Sequence, residues 1–472
     1  MGVENRPPWV TAAFILSVLL IFGGLAYVNP TPEYSLSPSV TWRFPTWHPW
    51  EDWAEEEREK AWAQHVADSI EAFALADTLP KEAVLRRPKP GIGAIQFAPS
   101  DSLGMAKLAR ALQQLSDGGI LRILHFGDSQ IEGDRITGDL RESLQSLYGG
   151  EGPGIQPVVP FVPMASVAHN AEGQWTRMVS FGRANDKSPS NQYGPRGISH
   201  RYSELAGAGP DAKIRFSPRT YGPARARRSR SFSLLHGPSR GPVEIRWYAN
   251  DSLWKIDYLD SNARPGALTA TATQAVKSLS LEFRGASPDW YGLSMDGVSG
   301  VRVDNVGMRG ADGLSFTRMD RTHFMASLQR EPVGLVILQF GGNAVPYFKS
   351  KEAVHRYGDA FRRQIRLFQE ALPGANILVV GPSDMAVKDG LEWHSYPFVE
   401  EVRNTLKAAA FAEGAGFFDV MEFMGGPGGM VDWVGQNPPL AGPDHIHFTP
   451  RGAKKVAQAL VTSLQDELKR HE

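Results

Sequence analysis

The 472-residue chain contains no cysteine, and this absence excludes disulfide bonds and thiolate metal sites. An excess of either charge is also missing, because 50 lysines and arginines face 51 aspartates and glutamates. The composition therefore gives no indication of a nucleic-acid partner or of an acidic one. The chain is long enough for two or three domains with full cores. Its 48 glycines and 34 prolines favour a loop-rich α/β and β composition.

Long apolar runs are scarce, and the one that stands out is the uncharged segment 9–28. About twenty apolar residues span a bilayer as a helix. Arg6 precedes the run, which favours a cytoplasmic N-terminus and an exported remainder. The alternative is a cleaved signal peptide, whose apolar core is normally shorter, roughly 7–15 residues. We predict a membrane anchor over residues 1–30, with the rest of the chain periplasmic or at the cell surface.

Residues 31–98 are predicted to form a spacer and a helical linker outside the cytoplasm. The first part is rich in proline, serine, threonine and tryptophan, and a helical pattern follows from about residue 50 to about residue 75. The alternative is that four tryptophans of this segment lie at the lipid interface, where this residue is favoured. They are Trp42, Trp47, Trp50 and Trp53.

Apolar runs alternate with helical patterns in two parts of the chain, residues 99–162 and residues 300–472. The segment 120–126 is a predicted strand in the first part, and the strongly apolar segment 333–340 is one in the second. Alternation of strands and helices with short loops predicts an α/β fold with a doubly wound, mostly parallel sheet.

Residues 163–299 show a different sequence pattern, in which short β-prone segments are separated by glycine, proline, serine and asparagine. Short strands at this spacing predict a β-sandwich inserted into the α/β part. Four arginines form a basic cluster in this region. Since the chain as a whole is neutral, a solvated loop is favoured over a nucleic-acid site. The cluster consists of Arg225, Arg227, Arg228 and Arg230.

A serine follows the first predicted strand, where open α/β sheets place their reactive groups. This residue, Ser129, becomes a nucleophile only if an imidazole takes its proton and a third group orients that imidazole. Asp444 and His447, three residues apart before the last predicted helix, can supply both functions. His445 is a weaker choice of base, because it is adjacent to Asp444 and poorly placed to pair with it.

An acyl-transfer site also needs hydrogen-bond donors for the developing oxyanion, and the loss of one typically costs about 100–1000-fold in rate. Gly310 can present its backbone N–H, since glycine allows close approach of a substrate. Asn343, which follows two glycines, can present its side-chain amide from the end of a neighbouring strand. Taken alone, the Gly-Gly-Asn sequence is equally compatible with a plain turn.

These residues together resemble the motif blocks of the SGNH (GDSL-type) hydrolase superfamily. Gly127-Asp128-Ser129 is similar to the first block, and Gly310 matches the glycine of the second, in the segment 305–310. Gly341-Gly342-Asn343 is similar to the third block, and Asp444-His445-Ile446-His447 to the last. Gln130 stands where the familiar first block has leucine, which affects only the assignment to a subfamily.

The resemblance implies attack by Ser129 on an ester carbonyl, with His447 as base and then acid and Asp444 orienting it. It also implies that the backbone N–H groups of Ser129 and Gly310 and the side chain of Asn343 hold the oxyanion. No metal or organic cofactor is expected.

About 180 residues separate Ser129 from Gly310, far more than in minimal members of the superfamily. This long insertion resembles the one in peptidoglycan O-acetylesterases, where the inserted domain is similar to a carbohydrate-binding module. In such a domain, four aromatic residues are candidates for stacking on sugars, although burial in the sandwich core is the favoured alternative for each. They are Trp247, Trp254, Trp290 and Tyr291.

The sequence thus predicts a membrane-anchored, exported serine esterase that removes O-acetyl groups from an envelope polysaccharide, with peptidoglycan as the first choice. A polysaccharide O-acetyltransferase with the same three catalytic residues is an alternative. A membrane acyltransferase would then be a partner. The other alternative is a glycan-binding protein with an idle site.

Overall fold

The chain divides into two compact units, Met1–Asp68 and Ser69–Glu472. In the first unit, β1 (Glu33–Ser37) pairs with β2 (Val40–Arg43) in an antiparallel hairpin. The computed structural model describes residues 33–37, 40–43, 93–115, 118–182, 186–205, 209–220 and 222–471.

The predicted membrane anchor, residues 9–28, and most of the predicted spacer lie outside the described residues. None of the helices in the described part of the chain is long and apolar enough to cross a membrane. The anchor therefore stays a prediction.

A six-stranded sheet forms the centre of the second unit, and only one edge strand runs against the others. This arrangement confirms the predicted α/β fold with a mostly parallel sheet. In spatial order the strands are β16 (Gly300–Gly307), β4 (Ile120–Gly127), β17 (Val333–Gln339), β18 (Asn376–Val380), β21 (Gly416–Phe418) and the antiparallel β3 (Ile95–Gln96).

The strands of this sheet bury side chains on both faces. In β4, Leu124 and Phe126 join one buried cluster, whereas Leu121 and Ile123 join the cluster on the opposite face. Successive side chains of a strand point to opposite faces, so a sheet covered on both sides has strands that are apolar almost throughout. This double burial explains why the sequence of β4 is a nearly continuous apolar run.

Helices cover both faces of the sheet, as expected for a doubly wound fold. Those against the face that includes Phe126 are α3 (Arg321–Leu328), α4 (Lys351–Ala371) and α5 (Val399–Ala412). Those that contribute mainly to the other face are α1 (Ala106–Gln113), α2 (Thr137–Tyr148), α6 (Val420–Met424), α7 (Gly429–Gly435) and α8 (Pro450–Leu468).

The start of α8 is defined by its capping residues, and this fixes the end of the preceding loop. The Thr449 hydroxyl accepts a hydrogen bond from the Gly452 N–H at 3.2 Å, and Pro450 occupies the first helical position. Both are favoured there, because the hydroxyl satisfies a free N–H and proline has none to satisfy. A small hairpin near this loop pairs β19 (Ala386–Asp389) with β20 (Glu392–Ser395).

The β-rich region forms two antiparallel sheets. A shared hydrophobic cluster between them includes Leu234 and Trp290 of one sheet and Ile245 and Phe283 of the other. The first sheet contains, in order, β13 (Gly266–Thr271), β10 (Ser231–His236), β15 (Trp290–Asp296), β8 (Ile198–Tyr202) and β7 (Trp175–Val179), with β5 (Gly154–Gln156) also paired to β15. The second contains β12 (Ser252–Leu259), β11 (Val243–Ala249), β14 (Leu279–Gly285), β9 (Ala212–Pro218) and β6 (Val167–Gly173).

The aromatic candidates for sugar stacking lie mostly inside this sandwich. Trp247 and Trp290 are 0% exposed, and Tyr291 is 4% exposed. Trp254 is partly buried and packs edge-on against Phe232, with ring centroids 6.0 Å apart. A buried ring offers no face to a sugar, so the stacking interpretation is wrong for Trp247, Trp290 and Tyr291, and the core alternative holds.

The basic cluster of the sandwich forms contacts within the chain. Arg228 and Arg230 lie 3.6 and 3.5 Å from the carboxylate of Glu151, and the Arg227 guanidinium donates to the Thr220 carbonyl. These contacts agree with the favoured interpretation of a solvated loop.

Candidate active site

The residues singled out in the sequence lie around the carboxyl edge of the parallel sheet. Ser129 follows β4, Gly310 follows β16 and Asn343 follows β17. Because β4 lies between β16 and β17, the three connections leave the sheet side by side. His447 reaches the same edge from the loop before α8. Reactive groups of open α/β folds occur at this edge.

Ser129, His447 and Asp444 form a continuous hydrogen-bonded relay. The Ser129 hydroxyl is 2.8 Å from Nε2 of His447, and Nδ1 of His447 is 2.7 Å from a carboxylate oxygen of Asp444. This order, hydroxyl to imidazole to carboxylate, is the one in which a serine can lose its proton to the imidazole. The structure therefore brings the three predicted catalytic side chains together across 318 residues of sequence.

The carboxylate of Asp444 is held by its own loop. Its second oxygen accepts hydrogen bonds from the backbone N–H groups of Ile446 and His447, each at 3.0 Å. These bonds are local, since a short polar side chain readily pairs with N–H groups two and three residues on. They hold the carboxylate while its other oxygen contacts Nδ1 of His447.

Burial and charge set the protonation of this relay. Burial lowers the pKa of His447 below its ordinary value of 6.5, and Asp444 opposes this effect only in part. The nearby charges of Arg135 and Arg309 lower it further. Burial alone would raise the pKa of Asp444, but the hydrogen bonds from His447 and Ile446 outweigh it and bring that pKa to about 2. At neutral pH the imidazole is thus neutral and the carboxylate ionised, as a general base requires.

His445, the weaker choice of base, is engaged elsewhere. Its ring stacks on Trp393 of β20, with centroids 3.6 Å apart and planes 14° apart. Its carbonyl oxygen accepts from the Ala386 N–H at 2.9 Å. These contacts attach the loop to the small hairpin, and the imidazole that contacts the Ser129 hydroxyl is that of His447.

Two of the three predicted oxyanion donors, Gly310 and Asn343, lie on neighbouring loops. Gly310 has a φ of +76°, a conformation that side chains rarely adopt, although no atom lies within 4 Å of the position of a Cβ. The backbone conformation, and not crowding, therefore requires glycine there. The Asn343 amide nitrogen donates to the Ala311 carbonyl at 3.2 Å. An amide nitrogen carries two hydrogens, so it can also donate to a bound oxyanion.

A cavity of about 190 Å³ opens at the relay, and Ser129, Asn343, Tyr347 and His447 are among its lining residues. A second cavity of about 560 Å³ is lined by Gly310 and again by Asn343 and Tyr347. Asn343 lines both cavities, whereas Ser129 lines only the smaller one and Gly310 only the larger one. The smaller cavity has room for an acyl group, and the larger one adjoins it.

Gln130 holds the base-bearing loop, and sequence reasoning missed this role. Its amide nitrogen donates to the Ile446 carbonyl at 2.6 Å, and its amide oxygen accepts from the Phe448 N–H at 3.4 Å. The two contacts flank His447 on either side. A residue treated only as a departure from a familiar motif therefore connects the serine loop to the histidine loop.

Charged residues next to Ser129 were also missed. Arg135 donates to the Ser129 carbonyl oxygen, and Arg309 donates to Glu132 at 2.7 Å. Burial raises the pKa of the Asp128 carboxyl to about 6. Asp128 and Arg309 lie within the first and second motif blocks and could have been found from the sequence, whereas Arg135 lies outside every block.

Within the described residues, no group of three or more histidine, aspartate or glutamate side chains is arranged to hold a metal ion.

Residues 272–455 match the family model of the GDSL-like lipase/acylhydrolase family. The matched segment contains Gly310, Asn343, Asp444 and His447, whereas Ser129 precedes it. The hydrogen bond between Ser129 and His447 therefore connects the serine to the matched segment. A search of curated proteins gives no significant match.

Among solved structures, one described as a peptidoglycan O-acetylesterase is similar over 78% of this chain and 96% of its own, at 23% identity and a TM-score of 0.61. A carbohydrate acetylesterase from Sinorhizobium meliloti is similar over 35% of this chain and 79% of its own (18% identity, TM-score 0.26). A family two carbohydrate esterase from Cellvibrio japonicus is similar over 65% of this chain and 100% of its own (9% identity, TM-score 0.24). The first likeness shows that the two proteins share their overall fold.

Proposed function

We propose that this chain is a serine esterase, similar to the GDSL-like acylhydrolases, and that it removes O-acetyl groups from a cell-envelope polysaccharide, with peptidoglycan as the first choice. The observation that carries the proposal is the relay from the Ser129 hydroxyl through His447 to Asp444, with spacings of 2.8 and 2.7 Å. The relay opens into a cavity of about 190 Å³, which suits a small acyl group such as acetyl.

In the first half-reaction, the Ser129 oxygen attacks the acetyl carbonyl carbon while Nε2 of His447 takes the hydroxyl proton. Asp444 accepts from Nδ1–H and stabilises the imidazolium. The carbonyl oxygen becomes an oxyanion, which the N–H groups of Ser129 and Gly310 and the Asn343 amide receive. The bond to the sugar oxygen then breaks, and His447 delivers its proton to that oxygen. The acetyl group remains on Ser129.

In the second half-reaction, a water molecule gives a proton to His447 and its oxygen adds to the acetyl carbonyl carbon. The same donors hold the second oxyanion. When it collapses, the Ser129 oxygen leaves and regains its proton from His447. The products are acetate and the free serine.

Two observations support an envelope polysaccharide as substrate. The similarity to a structure described as a peptidoglycan O-acetylesterase extends over 78% of this chain and 96% of that chain. The uncharged segment 9–28 supports an anchor in the membrane. We therefore include in the proposal that the catalytic unit is held outside the cytoplasm, in the periplasm or at the cell surface.

The test is acetate release by the full chain in detergent micelles, from O-acetylated peptidoglycan and from acetylated xylan. We expect release from peptidoglycan and a loss of about 10⁴-fold or more in Ser129→Ala, because that variant lacks the nucleophile. Ser199→Ala, which alters a buried serine of β8 in the sandwich, is the matched control and should retain activity.

The same assay separates the alternatives. A soluble sugar acceptor that becomes acetylated faster than acetate is released would make the protein an O-acetyltransferase. Full activity of Ser129→Ala would contradict the proposed nucleophile. If the intact chain releases no acetate and acetylates no acceptor, a glycan-binding role is favoured over the esterase.

A further inference from the structure

A cavity of about 560 Å³, the flanking cavity, lies beside the relay. Asn343 and Tyr347 line both this space and the cavity that contains the Ser129 hydroxyl. A substrate whose acetyl group lies at Ser129 can therefore extend past these two residues into the flanking cavity. Its volume falls in the range of about 300–1,000 Å³ that is usual for ligand sites.

Three cations from separate parts of the chain line the flanking cavity. Lys187 lies in the loop before β8, Arg318 in the turn Phe316–Arg318 and Arg356 in α4. None of them forms a salt bridge with another residue in the part of the chain that the structure describes. All three side chains are exposed and can move to meet a ligand.

The acidic lining does not balance these charges. Asp312 is the one acid among the residues that line the flanking cavity within the described chain, and one of its carboxylate oxygens accepts from the Leu314 N–H at 2.9 Å. The wall therefore carries three positive charges against one negative charge. A cavity lined by an excess of one sign of charge attracts ligands of the opposite sign, here an anion.

Tyr347 stands where the two cavities meet. Its side chain is 82% exposed, which is unusual for so large an aromatic residue in a folded unit. The neighbouring Phe348 packs on Tyr357, with ring centroids 5.6 Å apart, so the chain at this point is attached to α4. An exposed ring on a fixed backbone can lie against the apolar face of a sugar.

We propose that the flanking cavity binds a carboxylate carried by the polysaccharide next to the acetylated sugar, through Lys187, Arg318 and Arg356. This inference rests on the proposed function and gives its substrate a chemical requirement. The planar guanidinium group matches the two oxygens of a carboxylate, and lysine adds a further positive charge. A neutral polymer such as acetylated xylan lacks the group that this cavity would recognise.

The variant that tests the inference is K187Q/R318Q/R356Q, and its control is R363Q. Arg363 is an exposed cation on the same helix as Arg356, seven residues further on, and does not line the flanking cavity. The measured quantity is the ratio of kcat/KM on O-acetylated peptidoglycan to kcat/KM on a neutral O-acetylated chitin oligosaccharide. We expect the ratio to fall about tenfold in the triple variant, since each exposed ion pair contributes a few-fold, and to stay unchanged in R363Q.

Two forms of peptidoglycan distinguish the sources of the carboxylate. Intact material carries the carboxylates of its stem peptides. Material whose peptides have been removed by an amidase carries the lactyl carboxylate on the sugar itself. A preference for intact material identifies a peptide carboxylate, and an equal or higher rate on stripped strands identifies the sugar-borne one. If the rates on intact and on stripped peptidoglycan both equal the rate on the neutral oligosaccharide, the inference is overturned.

A second measurement uses the unaltered protein and so does not depend on the folding of a variant. Conversion of the substrate carboxylates to amides should lower kcat/KM about tenfold, and added salt should lower the rate on the acidic substrate more than on the neutral one. An unchanged rate on the amidated substrate, or an equal loss on acidic and neutral substrates in the triple variant, would contradict the carboxylate site.

Failure of this inference is distinguishable from failure of the proposed function. If acetate release depends on Ser129 but shows no preference for a carboxylate, only the flanking-cavity site is lost. If the intact chain hydrolyses no ester, the proposed esterase activity itself is contradicted.

Discussion

The carboxyl edge of the parallel sheet and the inserted sandwich use polar and aromatic residues in opposite ways. At the sheet edge, Ser129 and Asn343 follow strands and line a cavity. In the sandwich, Trp247 and Trp290 lie within strands and are 0% exposed. The difference is one of position, because a residue just after a strand has left the core, whereas a residue within an inner-facing strand has not.

Histidines show the same contrast. His447 lies in a loop, where its ring nitrogens meet the Ser129 hydroxyl and the Asp444 carboxylate. His200 lies in β8, where burial lowers its pKa to about 3, and both of its ring nitrogens lack a partner in the described part of the chain. Burial acts on both rings, but only the loop histidine has a carboxylate that holds it in position for proton transfer.

The largest expected effect that tests this comparison is that of Asp444→Asn. An amide keeps the shape of the side chain but cannot stabilise the imidazolium, so kcat should fall about 10²–10⁴-fold. Asp211→Asn in the sandwich is the matched control, because Asp211 also accepts hydrogen bonds from backbone N–H groups, those of Leu205 and Gly285. It should lower stability and leave the kcat of the folded protein unchanged. Similar kcat values for the two variants would contradict the assigned role of Asp444.

The next largest effect is expected on stability, from Trp247→Ala in the sandwich. Removal of a fully buried large aromatic side chain typically costs about 3–5 kcal/mol in the free energy of unfolding. Denaturant unfolding measures this cost, and acetate release per folded molecule should stay within about twofold of the unaltered chain. Trp254→Ala is the comparison, because that ring is only partly buried and should cost less. An equal or smaller loss of stability in Trp247→Ala than in Trp254→Ala would contradict the placement of Trp247 in the sandwich core.

Elements that bury a face were predictable from the sequence. The segments 120–126 and 333–340 were predicted as strands, and the structure has β4 at Ile120–Gly127 and β17 at Val333–Gln339. The site residues also follow recognisable strands, so their shared edge could be inferred from topology. The domain boundaries at residues 162 and 299 stay predictions, and β5 (Gly154–Gln156), which pairs with β15, precedes the first of them.

What the sequence did not reveal depends on contacts between distant segments. The hairpin β19–β20 was not predicted, because its strands are short and largely exposed, and its Trp393 packs on His445 more than fifty residues away. The individual strands between residues 163 and 230 were not predicted from the sequence either. Their partners are distant in sequence, and strand propensity alone does not specify such pairings.

The pH dependence of the reaction is expected to separate the loop histidine from the sandwich histidine. Only neutral His447 can accept the serine proton, so kcat/KM should fall about tenfold per pH unit below its pKa. Because burial lowers that pKa, the midpoint should lie below 6.5. Burial raises the pKa of Asp128 to about 6, so this carboxyl titrates in the same range. In Asp128→Asn, the fall in kcat/KM that accompanies protonation of His447 should persist. A midpoint above 6.5 would contradict a buried neutral base, and NMR should show His200 neutral throughout.

The smallest of these effects is expected for Gln130→Leu, which restores the leucine of the familiar motif. The hydrogen bonds from Gln130 to Ile446 and Phe448 are lost, and each is worth about 0.5–1.5 kcal/mol. We therefore expect kcat on a small acetyl ester to fall about tenfold with little change in KM, because His447 is less well positioned while the cavity remains. Gln436→Leu, at an exposed glutamine of the segment after α7, is the control. Equal effects of the two variants, or a change in KM alone, would show that Gln130 does not position the base and that the loop is held by Asp444 and the Trp393 stack.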